Sequence, residues 1–368
     1  KSEKLPFEFI SSGVFGFIAH EAVERFDKIK LDRNKTGMDI PDVYYAIYQN
    51  IIAISLFNHE AYLFSNTYDD NHNLDVIENL LNSQISTPFK FEKVGEKSSN
   101  LTDSEFIDFV KKGKEHCYRG DVFQLVLSRQ FSQQFKGDEF NVYRTLRSIN
   151  PSPYLFFFDY GYFKIFGSSP EAQLIVDNGK AEIHPIAGTF RRTGNDLKDT
   201  QAAKELAKDP KENSEHVMLV DLARNDLSRN GSNVSVEKNR EIQFFSHVIH
   251  LVSKVTCTMK DSAKTFRVVA DTFPAGTLSG APKHKALQLI DKYEKTQRNF
   301  YGGAIGYMDF YGNFNHAIII RSFLSMNNRL HYQAGAGIVA ASEPENELQE
   351  VYNKLGALDK ALLQAEKI

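Results

Sequence analysis

The 368-residue chain has no tryptophan, two cysteines and five methionines. Cys117 and Cys257 lie far apart and fit no metal-ligand spacing, so neither a disulfide framework nor a thiolate metal site is expected. They read as reduced thiols, which points to a cytoplasmic protein. The sequence also lacks a run of 18 apolar residues and a charged-then-apolar leader, which argues against membrane spans and secretion. Basic blocks are missing too. With 44 Lys and Arg against 47 Asp and Glu, the net charge of -3 is spread evenly, and neither nucleic acid nor an acidic membrane surface is expected as a partner. A phosphate-cradling loop is excluded, because its spacing needs glycine at position 281 and a hydroxyl after Lys283, and the chain has Ala281 and His284 there.

What is present is ample apolar material, 42% of residues, enough for one large domain or two. Gly95 to Thr102, charged and serine-containing, reads as a linker. Thr102 with Glu105 then makes a capping box for a helix reaching about Arg119. The expected division is therefore an N-terminal part, 1–101, and a main domain, 102–368. Strand signals dominate the latter, with Val122 to Gln130 alternating and two hairpins further on. The fold class expected is α+β, with large antiparallel β-sheets in a two-lobed, sandwich-like core flanked by helices.

The hairpins bring chemistry together. Asn178-Gly179 is a type I′ turn signal, which sets Asp177 against Lys180 and, counting outward, Glu171 against Ile186, beside Ala187, Gly188 and Thr189. A carboxylate next to glycine-bearing backbone can act as an acid beside oxygen-binding N–H groups, although a strand-end glutamate in water is the plainer reading. With turns near Tyr311 to Asn313 and at Asn327-Asn328, counting puts Tyr301, Arg321 and Ala334-Gly335 at one sheet edge. Arg321 can grip a carboxylate bidentately there, or snorkel from the strand end. Gly335 and Gly337 would let backbone N–H groups reach the same carboxylate.

Two helices carry glutamates. Asp209-Pro210-Lys211-Glu212 is a helix start, and Glu215 shares a face with Leu219 and Leu222, where a lone carboxylate is costly to desolvate and wants a cation. A second helix is expected from Ser342, with Glu345 as its box partner, to about Gln364; Glu347 and Glu350 flank its apolar stripe. Taken alone, Glu350 reads best as a solvent-exposed pair with Lys354. Phe273 to Lys283 supplies a further loop, in which Gly276 and Gly280 free space for a ligand and Pro282 opens a helix whose N-terminus attracts anions.

Five segments in order, Pro185-Ile186-Ala187-Gly188-Thr189, Asp221 to Asp226, His247-Val248-Ile249-His250, Pro274 to Pro282 and Gln333 to Val339, resemble the chorismate-utilising enzymes, and among them the anthranilate synthase component I family. The resemblance is dense from about Thr102 onward and loose before it, through Ser11 to Phe26; the family's N-terminal segment reads as cut or absent.

The resemblance implies that Glu215 and Glu350 hold Mg²⁺, with Glu212 and Glu347 as candidates to support or join them. It implies that His250, otherwise a plain packed imidazole, moves the proton when pyruvate is eliminated. Glu171 is then the candidate acid for the departing 4-hydroxyl, and Thr277 and Tyr301 position the ring and its enolpyruvyl side chain. Gly188, Thr189, Arg321, Gly335, Gly337 and Gln124 complete the substrate site.

Family members that add water to chorismate carry a lysine base where this chain has Gln124, and aminodeoxychorismate synthases typically carry a nucleophilic lysine where it has Ala187. Both departures favour ammonia as nucleophile and anthranilate as product. An aminodeoxychorismate synthase component I is the alternative within enzymes, and a non-catalytic chorismate-binding regulatory subunit the alternative outside them. Since no Cys-His-Glu arrangement is in evidence, a separate glutamine amidotransferase subunit is expected to supply the ammonia. Asn150-Pro151-Ser152-Pro153-Tyr154 resembles the family's tryptophan feedback segment, but its Leu-Leu-Glu-Ser companion is missing, so weakened or absent inhibition is expected.

Overall fold

The computed structural model describes residues 10–67, 72–83, 89–244, 248–259 and 264–368, apart from the side chains of residues 187, 189, 191, 211 and 248. Two large antiparallel sheets of nine and seven strands dominate the described residues. Their inner faces meet in an apolar layer: Phe17, Ile305 and Ala317 from the larger sheet pack with Phe163, Ile165 and Leu324 from the smaller. Alternate residues of each strand supply this layer, as the period of a strand requires.

Helices cover the outer faces. Pro344–Ala365 lays Val351, Leu355, Leu358 and Leu362 on the smaller sheet, beside Phe106 and Val110 of Asp103–Tyr118 and Val142 and Leu146 of Phe140–Ile149. Each of these fully buried side chains contributes roughly 1.5–3 kcal/mol. Asp103–Tyr118 starts at the expected capping box, with Glu105 N donating to Thr102 Oγ1 and Thr102 N donating to Glu105 Oε2. Pro210–Ser228 starts as expected too, with Glu212 N donating to Asp209 Oδ1 at 3.1 Å.

Several local expectations are corrected. Gly95 to Ser99 is no linker but the end of strand Phe91–Ser99, which pairs with Gln124–Gly137. Val14–Ile18 pairs with Ala304–Met308 inside the larger sheet. Ser342 does not cap the last helix: its hydroxyl accepts from Val339 N, and Glu343 holds the cap position. Pro282, in extended backbone, precedes the first turn of Lys283–Tyr293 instead of lying in it.

Both asparagine turns form as read, with positive φ at Asn178 and Gly179 and at Asn327 and Asn328, and with Asp177 opposite Lys180 and Met326 opposite Arg329. The outward count from Asn178 fails, however. Pairing with Ala172–Asp177 ends at Glu182, and Ile186–Arg191 runs along Val248–Met259, so Glu171 does not face Ile186. The second count needs revision as well: Phe314–Ile318 belongs to the larger sheet and Ser322–Met326 to the smaller. Arg321, at φ 52°, sits where the chain crosses between them, not at one sheet edge.

Candidate active site

That crossover is the centre of a cluster. The half-buried Arg321 guanidinium is within electrostatic reach of Glu171, Tyr301, Glu350 and His250. Burial pulls its own proton affinity down, and the three acidic groups oppose that. Glu171 is only 8% exposed. Desolvation pushes its carboxyl up to about 8, against the Thr277 hydrogen bond and the charges of Arg321 and Lys354. Thr277 Oγ1 donates to Glu171 Oε1 at 3.0 Å. The buried Tyr301, packed with Leu278, Ile318 and Ile320, is pushed up to about 12, mainly by desolvation.

His250 stands on Val248–Met259. A register shift between Ala187 and Thr189 in the facing strand, with Gly188 at φ 69°, turns the Gly188 carbonyl to His250 Nδ1 at 2.8 Å. A carbonyl can only accept, so Nδ1 carries the hydrogen and Nε2 is the basic nitrogen. Burial, aided by Arg321, lowers the affinity of the imidazole for a second proton. His247, which opens this motif, lies outside the described residues, and of Thr189 only the backbone is described.

The Pro210–Ser228 helix spans the same region. Glu212, Glu215, Leu219 and Leu222 follow helical spacing down one face. At its start, Glu212 Oε2 would lie 3.2 Å from a Cβ on Gly188, and further along Leu222 would lie 2.2 Å from one on Gly276. Glu215 therefore stands between the Gly188 strand and the Thr277 loop. Glu350, on the last helix, pairs with Lys354 at 2.5 Å, and Lys354 Nζ also donates to Gly335 O at 2.8 Å. The buried Glu347 lies a turn earlier on that helix.

The glycines behave differently from expectation. A Cβ on Gly276 would strike Leu222, one on Gly280 would come 2.2 Å from Gln124 O, and one on Gly337 would come 2.6 Å from Gln124 Nε2. Gly335 pairs with Ser128 in the smaller sheet. These positions admit the protein's own chain, which draws Gly280-Ala281 onto Gln124–Gly137. The Gln124 carboxamide is thereby buried, with Oε1 lacking a hydrogen-bond partner among the described residues. Asn150 to Tyr154 lies elsewhere: Asn150 ends Phe140–Ile149, its carbonyl accepts from Ser168 Oγ, and Tyr154 begins a strand packed on the layer between the sheets.

Sequence reasoning misses two residues of this region. Lys354 appears there only as a surface partner, and Arg298 not at all; its single hint is the i, i+4 spacing from Glu294. Neither cysteine is a nucleophile candidate, since burial raises Cys257 and pushes Cys117 up to about 11.

The family model for chorismate binding enzymes matches residues 2–360. The chain belongs to that family. Anthranilate synthase component 1 of Aquifex aeolicus is 38% identical over 96% of this chain and 75% of its own length. The Bacillus subtilis protein of the same name is 46% identical over 73% of this chain, an alignment that spans about half, 53%, of that relative. Among solved structures, anthranilate synthase component I from Streptococcus pneumoniae superposes with a TM-score of 0.83 at 32% identity, covering 97% of this chain and 82% of the other. The α+β class with its large antiparallel sheets is thus shared with a chorismate-binding enzyme. No helix among the described residues is long and apolar enough to cross a membrane.

Proposed function

We propose that the chain is the chorismate-aminating component of an anthranilate synthase, converting chorismate and ammonia into anthranilate, pyruvate and water. One observation carries this reading: Glu171, a buried carboxyl whose proton affinity desolvation raises, is joined to Thr277 and lies within electrostatic reach of the Arg321 guanidinium, which also reaches His250. Neutral Glu171 donates its proton to the departing 4-hydroxyl, which leaves as water while ammonia bonds to the ring. Arg321 and the Thr277 hydroxyl stabilise the carboxylate left behind. His250 Nε2 then removes the proton from the aminated carbon, the C–O bond to the enolpyruvyl group breaks as the ring becomes aromatic, and the released enolpyruvate takes up a proton, from the imidazolium or water, to become pyruvate. Tyr301 and the Gly188 and Gly335 backbones shape the pocket. Gln124, unable to deprotonate water, leaves ammonia as the nucleophile, and its unsatisfied Oε1 is an acceptor for it.

Magnesium fits the donor set. The donors are carboxylate oxygens from two helices, Glu215 with Glu212 and Glu350 with Glu347, and among the described residues no three metal-ligating side chains gather closely enough to hold an ion unaided. An ion that takes one or two carboxylates and keeps water and substrate oxygens suits this arrangement. Glu215 and Glu350 would hold it, with Glu350 leaving Lys354, and it would supply positive charge against the substrate carboxylate. Ammonia would reach the site from a glutamine amidotransferase subunit in the cytoplasm. Asn150 to Tyr154 would serve as one side of a feedback site for tryptophan, with inhibition weakened or absent.

The test is incubation of the pure chain with chorismate, Mg²⁺ and an ammonium salt at alkaline pH. Anthranilate fluorescence is expected. Its absence refutes the proposal, and an aminated product that keeps its enolpyruvyl group assigns aminodeoxychorismate synthesis instead.

A further inference from the structure

Behind Tyr301 lies a buried ion pair that the mechanism does not use. Arg298, 1% exposed in its side chain, donates from Nε to Glu294 Oε2 at 2.8 Å and from Nη2 to Glu294 Oε1 at 2.6 Å. Its remaining reach goes to backbone: Nη1 donates to Leu278 O at 2.6 Å and Nη2 to Val126 O at 2.8 Å. Glu294 Oε1 also accepts from Ser128 N at 2.8 Å and Ser128 Oγ at 2.7 Å, and Gln333 Nε2 donates to that hydroxyl at 2.7 Å. The Arg298 backbone N–H is held by Glu21 Oε1 at 2.8 Å, and the guanidinium lies 5.7 Å from the Tyr301 ring centre.

A buried ion pair adds little net stability, since well-packed apolar residues usually serve as well or better. The distinctive work here is done by the fork. Leu278 follows Thr277 directly, and Val126 lies two residues along the strand from Gln124, on the same face. One rigid cation therefore ties the loop bearing the hydroxyl that bonds Glu171 to the strand bearing the carboxamide at the ammonia position. Lysine, with a single point of charge, cannot serve a carboxylate and two carbonyls in that plane.

We propose that Arg298, clamped by Glu294 and Ser128, is a positioning residue for amination, fixing the Thr277 loop against the Gln124 strand. This rests on the reading of the site given above. The fork sets the distance between the loop and the strand, so loosening it affects the geometry reached during reaction more than substrate capture.

The test uses Arg298→Lys and Thr277→Val, separately and together, with anthranilate formation and amide hydrogen exchange as readouts. Arg298→Lys is expected to lower kcat by about tenfold to a hundredfold with a smaller change in KM for chorismate. It is also expected to speed exchange in residues 275–281 and 124–128 over the rest of the chain. Thr277→Val should cost clearly less in the Arg298→Lys background than in the wild type, because both act through one loop. Should the lysine variant not fold, Ser128→Ala perturbs the same clamp more mildly and must change both readouts in the same direction. Exchange unchanged in those segments, kcat within about twofold of wild type, or strictly additive losses would overturn the inference. A wild-type chain that makes no anthranilate defeats the proposed function alone, since exchange still reports whether the pair holds the loop.

Discussion

Replacing Glu171 by glutamine should stabilise the protein while disabling it, and the size of the effect should depend on pH. The carboxyl is raised from 4.5 to about 8, chiefly by desolvation. In the folded chain it stays protonated through a range in which the unfolded chain has already ionised. Folding therefore binds a proton there, and stability falls as pH rises from about 5 to 8. Above pH 8 the full cost is on the order of 4–5 kcal/mol. Glutamine is neutral throughout and close in shape, so it removes this dependence. The thermal midpoints of wild type and variant should nearly coincide at pH 5 and separate in favour of the variant by pH 8.5. Other raised groups, such as the buried Asp226 beside Lys283, are common to both proteins and cancel in the difference. Differential scanning calorimetry in buffers of matched ionic strength measures it. A difference that is the same at pH 5 and pH 8.5 would refute the reasoning, and so would an active variant.

Other outcomes follow from the same geometry. His250→Gln should still consume chorismate but accumulate an aminated species that retains its enolpyruvyl group, with anthranilate formation down by about 10²–10⁴; mass spectrometry separates this from a variant that consumes nothing. Glu215→Gln and Glu350→Gln should each raise the Mg²⁺ concentration needed for half-maximal rate. Because the Glu350–Lys354 pair is partly exposed, Glu350→Gln should change stability by no more than about 1 kcal/mol. Gly280→Ala forces a Cβ onto Gln124 O at φ 126° and should destabilise by roughly 3 kcal/mol or more in urea titration. Gly356→Ala, in the last helix with nothing within 4 Å, should stabilise by about 0.5–1 kcal/mol.

Local features were legible in the sequence. The Asn178-Gly179 and Asn327-Asn328 turns demand positive φ at adjacent residues, and the Thr102 and Asp209 caps satisfy N–H groups within one turn, so a few neighbouring residues determine each. The alternating strand signals and two hairpins were enough for the α+β class, because period-two patterning needs only neighbouring residues. What sequence cannot carry is the choice of sheet. Residue counting keeps Tyr301, Arg321 and Gly335 in one meander, whereas the chain changes sheets at Arg321, a change visible only through its left-handed backbone. Glycine spacing likewise does not reveal whether a ligand or the protein fills the space; Leu222 and Gln124 do so here. Arg298 left the faintest signal, since its partners Leu278 and Val126 come from distant segments and both contacts are to backbone carbonyls, which no side-chain pattern records.

Amination as proposed requires Glu171 to be a neutral acid at working pH. Infrared difference spectroscopy of wild type against Glu171→Gln reads this directly, through the C=O stretch of a protonated carboxyl. That band should be present at pH 7 and vanish with a midpoint near the value of about 8 expected from its burial. A carboxylate already ionised at pH 6 would contradict the account.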